Sequence, residues 1–122
     1  MRVLVTGSRT WHNDQTVRAA LAEVKDVDKP GTPITLVSGA CPTGADVLAE
    51  GWARRFGWTV EQHPADWKQH GRAAGPLRNV EMVRSGIDLC LAFRRDNSRG
   101  TQHTIEMCEQ AGIPVRLWTE DS

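Results

Sequence analysis

Several signatures that would assign a function directly are missing from this sequence. Its 122 residues include no tyrosine and only three cysteines, and its 15 basic and 15 acidic side chains give a formal net charge of zero at pH 7. A chain without net positive charge has no long-range attraction for a polyanion, so nucleic-acid binding is disfavoured. The P-loop pattern GxxxxGK[ST] and the dinucleotide pattern GxGxxG are both absent as well.

Signals for membranes and metals are also lacking. No apolar run approaches the roughly 20 residues that span a bilayer, and a strand pattern begins directly after Met1-Arg2, which leaves no room for a signal peptide. We therefore expect a cytoplasmic protein without membrane contact. Cys41, Cys90 and Cys108 lack CxxC spacing and the histidines lack metal-ligand spacing, so we expect buried or idle thiols and neither a metal nor a cofactor.

What the sequence does contain is an alternation of strand and helix patterns over its whole length. Short apolar runs predict strands over 2–6, 34–37, 58–61, 88–93 and 115–118. Four segments between them carry apolar residues at helical spacing, and the clearest runs from Ala45 to Phe56. This order predicts an α/β fold: a single domain over 1–122, with a three-layer Rossmann-like architecture, a five-stranded parallel sheet of order 3-2-1-4-5 and helices on both faces.

Three predicted strand-to-helix turns are rich in small residues. They are Gly7-Ser8-Arg9, then Ser38-Gly39-Ala40 with Gly44-Ala45-Asp46, and then Arg99-Gly100-Thr101. Because the carboxyl ends of parallel strands meet at one edge of the sheet, these turns would present backbone amides and helix N-termini together. Such an arrangement binds phosphate, so the turns predict a nucleotide site.

Side chains near these turns suit the other parts of a nucleotide. Arg9 and Arg78 can neutralise phosphate charge. Asp46 can accept hydrogen bonds from a ribose, or it can cap its own helix, and both interpretations stay open. Trp11 or Trp67 can stack on a base. The predicted ligand-binding residues are Gly7, Ser8, Arg9, Trp11, Ser38, Gly39, Ala40, Gly44, Asp46, Arg78, Asn79, Gly100 and Thr101.

No catalytic group is evident from the sequence. A general acid or base needs a carboxylate poised by burial and a cationic partner, and none of the acids near the turns is marked out in that way. The catalytic residues are therefore unknown, with Asp46 and Glu106 as candidates. No Ser-His-Asp order is present either, which disfavours a catalytic triad.

The same turns resemble a known superfamily. Five segments are similar, in order, to the SLOG superfamily in its small YspA-like, YpsA-related branch: Val5–Trp11, Val37–Ala40 with Gly44–Asp46, Pro64–Trp67, Gly75 with Arg78-Asn79 and Met82, and Gly100-Thr101. The resemblance covers nearly the whole chain. It implies a Rossmann-like domain that binds or senses a nucleotide or nucleotide-derived ligand, commonly as a homodimer.

Two distant branches of the superfamily suggest further functions. Lonely Guy phosphoribohydrolases cleave the N-glycosidic bond of nucleoside 5′-monophosphates with a PGGxGTxxE loop that carries a catalytic glutamate. This chain keeps Gly100-Thr101, but it has Thr104 at the place of the glutamate and Asn97-Ser98-Arg99 before the motif's glycine and threonine. Ligand binding is therefore the leading hypothesis, the hydrolase is the alternative, and enzymatic activity is left open. The branch of DNA-processing protein A suggests a DNA-associated role, which the neutral charge disfavours.

Overall fold

The computed structural model describes residues 1–27, 31–95 and 98–120. Five strands form one parallel sheet in the order β3-β2-β1-β4-β5, which confirms the predicted topology. The strands are β1 (Arg2–Gly7), β2 (Thr35–Ser38), β3 (Thr59–Gln62), β4 (Leu89–Arg95) and β5 (Val115–Glu120). The loops predicted over 25–33 and 94–99 fall partly outside the described residues. β4 runs two residues further than predicted because Arg94 and Arg95 pair with β5.

In the described ranges five α-helices accompany the sheet, one more than the sequence predicts. They are α1 (Asp14–Val27), α2 (Ala45–Arg55), α3 (Trp67–His70), α4 (Ala74–Arg84) and α5 (Arg99–Gln110). The extra element is α3, a single turn in a segment predicted as a loop, and a 3-10 turn over Gly71–Ala73 follows it. Asp66 caps α3 by accepting a hydrogen bond from the Gln69 amide at 3.1 Å. None of the described helices is long and apolar enough to cross a membrane.

The helices cover both faces of the sheet, as a three-layer fold requires. α1 packs against α2 on one face and α4 against α5 on the other. On the first face the central strands contribute Val5 and Phe93 to the larger core cluster. On the second face Leu4, Cys90 and Cys108 belong to a smaller cluster. Cys90 and Cys108 are free buried thiols, as predicted.

The carboxyl ends of β1 and β4 lie side by side at the centre of the sheet. Gly7 pairs with Phe93 there, and the chain leaves these two strands towards opposite faces. A Cβ atom at Gly7 would lie 2.4 Å from the Cβ of Ala45 and 2.8 Å from the carbonyl oxygen of Phe93. Gly7 is therefore needed so that the start of α2 can pack closely on the end of β1. This switch point opens into a cleft.

Candidate functional site

A large cleft lies at the carboxyl edge of the sheet. Its volume is about 1080 Å³, and it is enclosed by the loops that follow β1 and β2, by α3 and α4, and by the start of α5. The structure brings ten of the thirteen predicted ligand-binding residues to its walls: Gly7, Ser8, Arg9, Gly39, Ala40, Asp46, Arg78, Asn79, Gly100 and Thr101. The separate turns therefore do converge on one cavity.

Trp11 does not reach this cleft, which corrects one prediction. Its side chain is only 3% exposed and meets Phe93 edge-on, with ring centroids 5.4 Å apart. Its indole N–H donates to the Asn13 carbonyl oxygen at 2.9 Å. Trp11 is thus a core residue and cannot stack on a base. Trp67 does line the cleft, is 50% exposed, and lies under the Arg9 guanidinium, 5.8 Å from carbon to ring centroid.

Gly44 and Ser38 shape the cleft from behind its wall rather than lining it. Gly44 has φ of 78°, and a Cβ atom there would lie 2.2 Å from the Ser8 carbonyl oxygen. That oxygen also accepts hydrogen bonds from the Trp11 and Ala45 amides at 3.2 and 3.3 Å. Glycine at position 44 therefore lets the loop after β2 pack against the loop after β1.

Ser8 is likewise engaged by the protein itself. Its amide donates to the Phe93 carbonyl oxygen at 2.9 Å, and its hydroxyl oxygen accepts from the Arg95 amide at 2.8 Å. The hydroxyl also donates to the Arg95 carbonyl oxygen at 3.2 Å. Ser8 thus joins β1 to β4 at the cleft floor, and its amide and hydroxyl are not the phosphate donors that the sequence predicts.

Arg95 is a further basic residue of the cleft, outside the set of predicted ligand-binding residues. Its Nη1 donates to the Thr10 carbonyl oxygen at 2.8 Å and lies 3.3 Å from a carboxylate oxygen of Glu120. Glu120 in turn accepts hydrogen bonds from the His12 and Asn13 amides at 3.0 and 2.8 Å. The end of β5 therefore holds the loop after β1 in place, a contact between residues more than 100 positions apart that no local pattern reveals.

Arg78 is held in position over the loop after β2. Its Nη1 donates to the Gly39 carbonyl oxygen at 2.5 Å, and its Nε donates to Oδ1 of Asn79 at 2.8 Å. A Cβ atom at Gly39 would lie 2.5 Å from Nη1 of Arg78. The close approach of the guanidinium thus depends on glycine at position 39, and Asn79 serves to orient Arg78.

Asp46 lies in the first turn of α2 but does not cap that helix. The helix has no side-chain cap, and Oδ2 of Asp46 accepts instead from the Cys41 amide at 3.2 Å. Burial raises the pKa of Asp46 to about 6, against the opposing effects of the Cys41 amide, Arg78 and Arg9. The side chain is 7% exposed and lines the cleft, so Asp46 places a carboxyl group with a raised pKa in the wall of the cavity.

Behind the loop after β2 lies a buried carboxylate. It belongs to Glu50, which is only 5% exposed. Its two oxygens accept from the Ser38 hydroxyl and from Nε2 of Gln62, each at 2.7 Å. The Ser38 hydroxyl oxygen accepts from the amide of Ala40, which has φ of 60°. Glu50 therefore supports the turn that places Gly39 and Asp46 at the cleft.

The N-terminus of α5 forms the opposite wall. The first-turn amides of an α-helix have no partner within the helix, and no described side chain caps this one, so its first-turn N–H groups can take an anion. Arg99, Gly100 and Thr101 of that turn line the cleft. Thr104 is fully buried and donates to the Gly100 carbonyl oxygen at 3.1 Å, so it cannot replace a catalytic glutamate. Asn97 of the compared motif lies outside the described residues.

Glu106 stands apart from the cleft. It is exposed on α5 and accepts a hydrogen bond from Nε2 of Gln102 at 3.3 Å. It lines a neighbouring groove of about 460 Å³ with Arg94 and Arg99. Of the two candidate catalytic acids, only Asp46 therefore faces the main cavity.

The fold is a Rossmann-like domain with a cleft at its switch point. The chain belongs to the YspA, cpYpsA-related SLOG family, whose family model matches residues 1–70. It is also 45% identical over 119 residues to the Gene 61 protein of Mycobacterium phage D29, with 93% of each chain covered. Residues 1–70, which the family model matches, contain the loops after β1 and β2. Arg78 and the N-terminus of α5 lie beyond residue 70.

Proposed function

We propose that the cleft binds a nucleotide or a nucleotide-derived phosphorylated small molecule. The observation that carries this proposal is the convergence of two guanidinium groups, Arg9 and Arg78, and the uncapped N-terminus of α5 on one cavity of about 1080 Å³. That volume is slightly above the range of about 300 to 1,000 Å³ typical of small-molecule sites. A neutral chain that concentrates positive charge in one cleft suits a small anion better than a long one.

The parts of a nucleotide have distinct partners along the cleft. Its phosphate suits the amides of Gly100 and Thr101, where the helix dipole favours negative charge. Arg78 is already oriented by Asn79 and Gly39, so little side-chain entropy is lost when it pairs with that phosphate. The exposed ring of Trp67 offers a face on which a base can stack.

A binding panel tests this proposal. Mono-, di-, cyclic and dinucleotides are added to the protein, and unfolding temperatures are measured. A ligand at about 100 times its dissociation constant stabilises the fold by about 2.7 kcal/mol, which shifts the unfolding temperature of a domain of this size by several degrees. If no compound in the panel shifts the transition, the proposal fails.

Two matched arginine variants localise the binding. We expect Arg78→Gln to weaken binding of a phosphorylated ligand by about 1.5 to 3 kcal/mol, the usual contribution of a charge-assisted hydrogen bond. Arg84→Gln is the control, because Arg84 is exposed on the same helix and does not line the cleft. Calorimetric titration measures both affinities, and equal losses in the two variants would contradict binding at this cleft.

One observation supports a second candidate function, hydrolysis of an N-glycosidic bond. Asp46 is a buried carboxyl group in the cleft with a pKa raised to about 6, and Arg9 and Arg78 act on it electrostatically. A carboxylate in such a position can stabilise an oxocarbenium-like ribose while water replaces the base. Chromatography of the free base tests this candidate. We expect Asp46→Asn to abolish base release and Glu106→Gln to retain it, whereas no release by the wild type would exclude it.

The homodimer implied by the family stays a prediction. The five tryptophans include Trp67, which is half exposed, and α4 presents the exposed Leu77 nearby in sequence. Such side chains are common in interfaces between protein chains. Light scattering after size-exclusion chromatography measures the mass, and a monomer of 13.5 kDa at micromolar concentration would contradict the prediction.

A further inference from the structure

We propose that Asp46 selects the sugar of the ligand, so that the cleft takes ribonucleotides in preference to analogues that lack a ribose hydroxyl. The inference rests on the proposed binding of a nucleotide-type phosphate and adds to it the identity of the sugar. It depends on the one carboxylate oxygen of Asp46 that receives no hydrogen bond from the described residues.

The two oxygens of Asp46 have different surroundings. Oδ2 accepts from the Cys41 amide, whereas Oδ1 receives no hydrogen bond from the part of the chain that the structure describes. Among the described residues, the fully enclosed side-chain nitrogen and oxygen atoms all have partners except Nε of Arg2. Oδ1 of Asp46 is therefore open to the cleft, although the residue as a whole is 7% exposed.

The charges around this oxygen indicate what kind of donor it accepts from. Arg78 and Arg9 lower the pKa of Asp46 electrostatically while Glu50 raises it, so the carboxylate already has two cationic neighbours and an ammonium group of a ligand would have to compete with them. No group of three or more His, Cys, Asp or Glu side chains in the described ranges is placed to hold a metal ion. A neutral donor fits these surroundings, and a sugar hydroxyl is the neutral donor that lies close to a nucleotide's phosphate.

The spacing within the site fits one compact sugar phosphate. A Cβ atom at Gly39 would lie 2.5 Å from Nη1 of Arg78 and 3.1 Å from Oδ2 of Asp46, so both groups stand over the same glycine. A phosphate on Arg78 and a hydroxyl on Asp46 would then belong to adjacent parts of one ligand. A ligand without this hydroxyl would cover the Asp46 oxygen without donating a hydrogen bond to it. Such a ligand should bind much more weakly.

Binding of matched sugars tests the inference. The probes are the 5′-monophosphates of adenosine, 2′-deoxyadenosine and 3′-deoxyadenosine, followed by ribose 5-phosphate and 2-deoxyribose 5-phosphate, which have no base to lose. Dissociation constants are measured by calorimetry or NMR titration at pH 7.5. We expect at least one deoxy form to bind the wild type about 10- to 100-fold more weakly, the range for one hydrogen bond to a charged group.

The variant Asp46→Asn assigns the discrimination to this side chain. Its carboxamide oxygen can keep the bond from the Cys41 amide, which turns the NH₂ group towards the cleft and removes the acceptor there. We expect this variant to discriminate between the ribose and deoxyribose forms several-fold less than the wild type, because a hydroxyl that accepts from the NH₂ group makes only a neutral hydrogen bond. Glu23→Gln is the control, since it makes the same change at an exposed position on α1, and the discrimination should be unaltered.

The possible outcomes separate the inference from the proposed function. If the wild type binds all sugar forms equally, the inference is overturned while nucleotide binding stands. If Asp46→Asn discriminates as strongly as the wild type, another residue selects the sugar and the inference is again overturned. If none of the phosphorylated probes binds, and inorganic phosphate does not bind either, both proposals fail. The wild-type comparison needs no variant, so a folding defect in Asp46→Asn would not prevent the test.

Discussion

At the scale of single residues, the buried position of Asp46 lowers the stability of the folded protein near neutral pH. The folded protein holds its carboxyl group in a buried wall of the cleft, where the pKa is raised from 3.8 to about 6. Near neutral pH the group is ionised in both the folded and the unfolded chain, so folding must bury a charge. A side chain kept at such a cost is typical of functional sites.

The variant Asp46→Asn should therefore be more stable than the wild type near neutral pH. A raised folded-state pKa gives stability that is complete below about pH 4 and is lost as the pH rises through about 6. At 1.36 kcal/mol per pKa unit, the wild type loses on the order of 3 kcal/mol relative to the variant over this interval. Urea unfolding of both proteins from pH 4 to 8 measures the difference. Parallel pH profiles would contradict the raised pKa.

Two glycines at the cleft differ in what their missing side chains make possible. At Gly7 an added Cβ atom would meet the Cβ of Ala45 and the backbone of Phe93, neither of which can move alone. At Gly39 it would meet the end of the Arg78 side chain, which can swing away. Gly7 therefore allows close packing of the core, whereas Gly39 leaves room for the guanidinium of Arg78.

Substitution by alanine should separate these two roles. We expect Gly7→Ala to destabilise the fold by about 1 to 3 kcal/mol, the usual cost of overpacking. Gly39→Ala should keep near wild-type stability but weaken phosphate binding, because Arg78 is displaced from its bond to the carbonyl oxygen of residue 39. Denaturation and ligand titration of each variant measure both quantities. Equal effects of the two substitutions on stability would refute this distinction.

At the scale of elements, the turn between β2 and α2 is stabilised from the core side. The Ser38 hydroxyl connects the buried Glu50 to the amide of Ala40, whose left-handed backbone is unfavourable for a residue with a side chain. Gln62 at the end of β3 holds the second oxygen of Glu50. This network joins β2, α2 and β3 directly behind the cleft wall.

The variant Ser38→Ala tests how much this hydrogen-bond network contributes to stability. It removes one hydrogen bond from the buried carboxylate and one from the strained turn, so we expect a loss of about 1 to 3 kcal/mol in unfolding free energy. Ligand affinity should also fall as the turn relaxes. Thr43→Ala is the matched control, because Thr43 is an exposed hydroxyl residue in the same loop. Similar losses in the two variants would show that the network does not support the turn.

The order of the strands and main helices could be predicted from the sequence. The short helix α3 and the placement of some side chains could not. Central strands buried on both faces have uninterrupted apolar runs, and such runs identify β1 and β4 directly. α3 lacks apolar periodicity and depends on its Asp66 cap. Trp11 was misjudged because Phe93, against which it packs, is distant in the sequence. Local patterns predict which turns meet, whereas long-range contacts decide which side chains face the cavity.

At the scale of the whole molecule, charge is balanced overall and concentrated locally. The zero net charge coexists with a cleft lined by Arg9, Arg78, Arg95 and Arg99. At the opposite, amino-terminal side of β1, Arg2 forms a bidentate pair with Glu61 at 2.7 and 3.0 Å. That contact lowers the pKa of Glu61 to about 2. The basic groups outside the cleft are thus partly neutralised by acidic neighbours.

This balance predicts that duplex DNA does not bind. Without an extended basic surface few counterions would be released on association, so there is little driving force even at low salt. We expect an electrophoretic mobility assay with long duplex DNA to give no retarded band at protein concentrations that saturate a small phosphorylated ligand. A retarded band that disappears with added salt would instead favour a DNA-associated role.

The half-exposed indole of Trp67 also provides an intrinsic fluorescence signal for binding at the cleft. The remaining tryptophans lie in the core or pack against it, so their emission should respond little to events at the cleft. Trp67 alone lines the cavity, with the Arg9 guanidinium over its ring. A compound that enters there exchanges that cation and the surrounding water for its own atoms, and intrinsic fluorescence can then follow occupancy without any attached label.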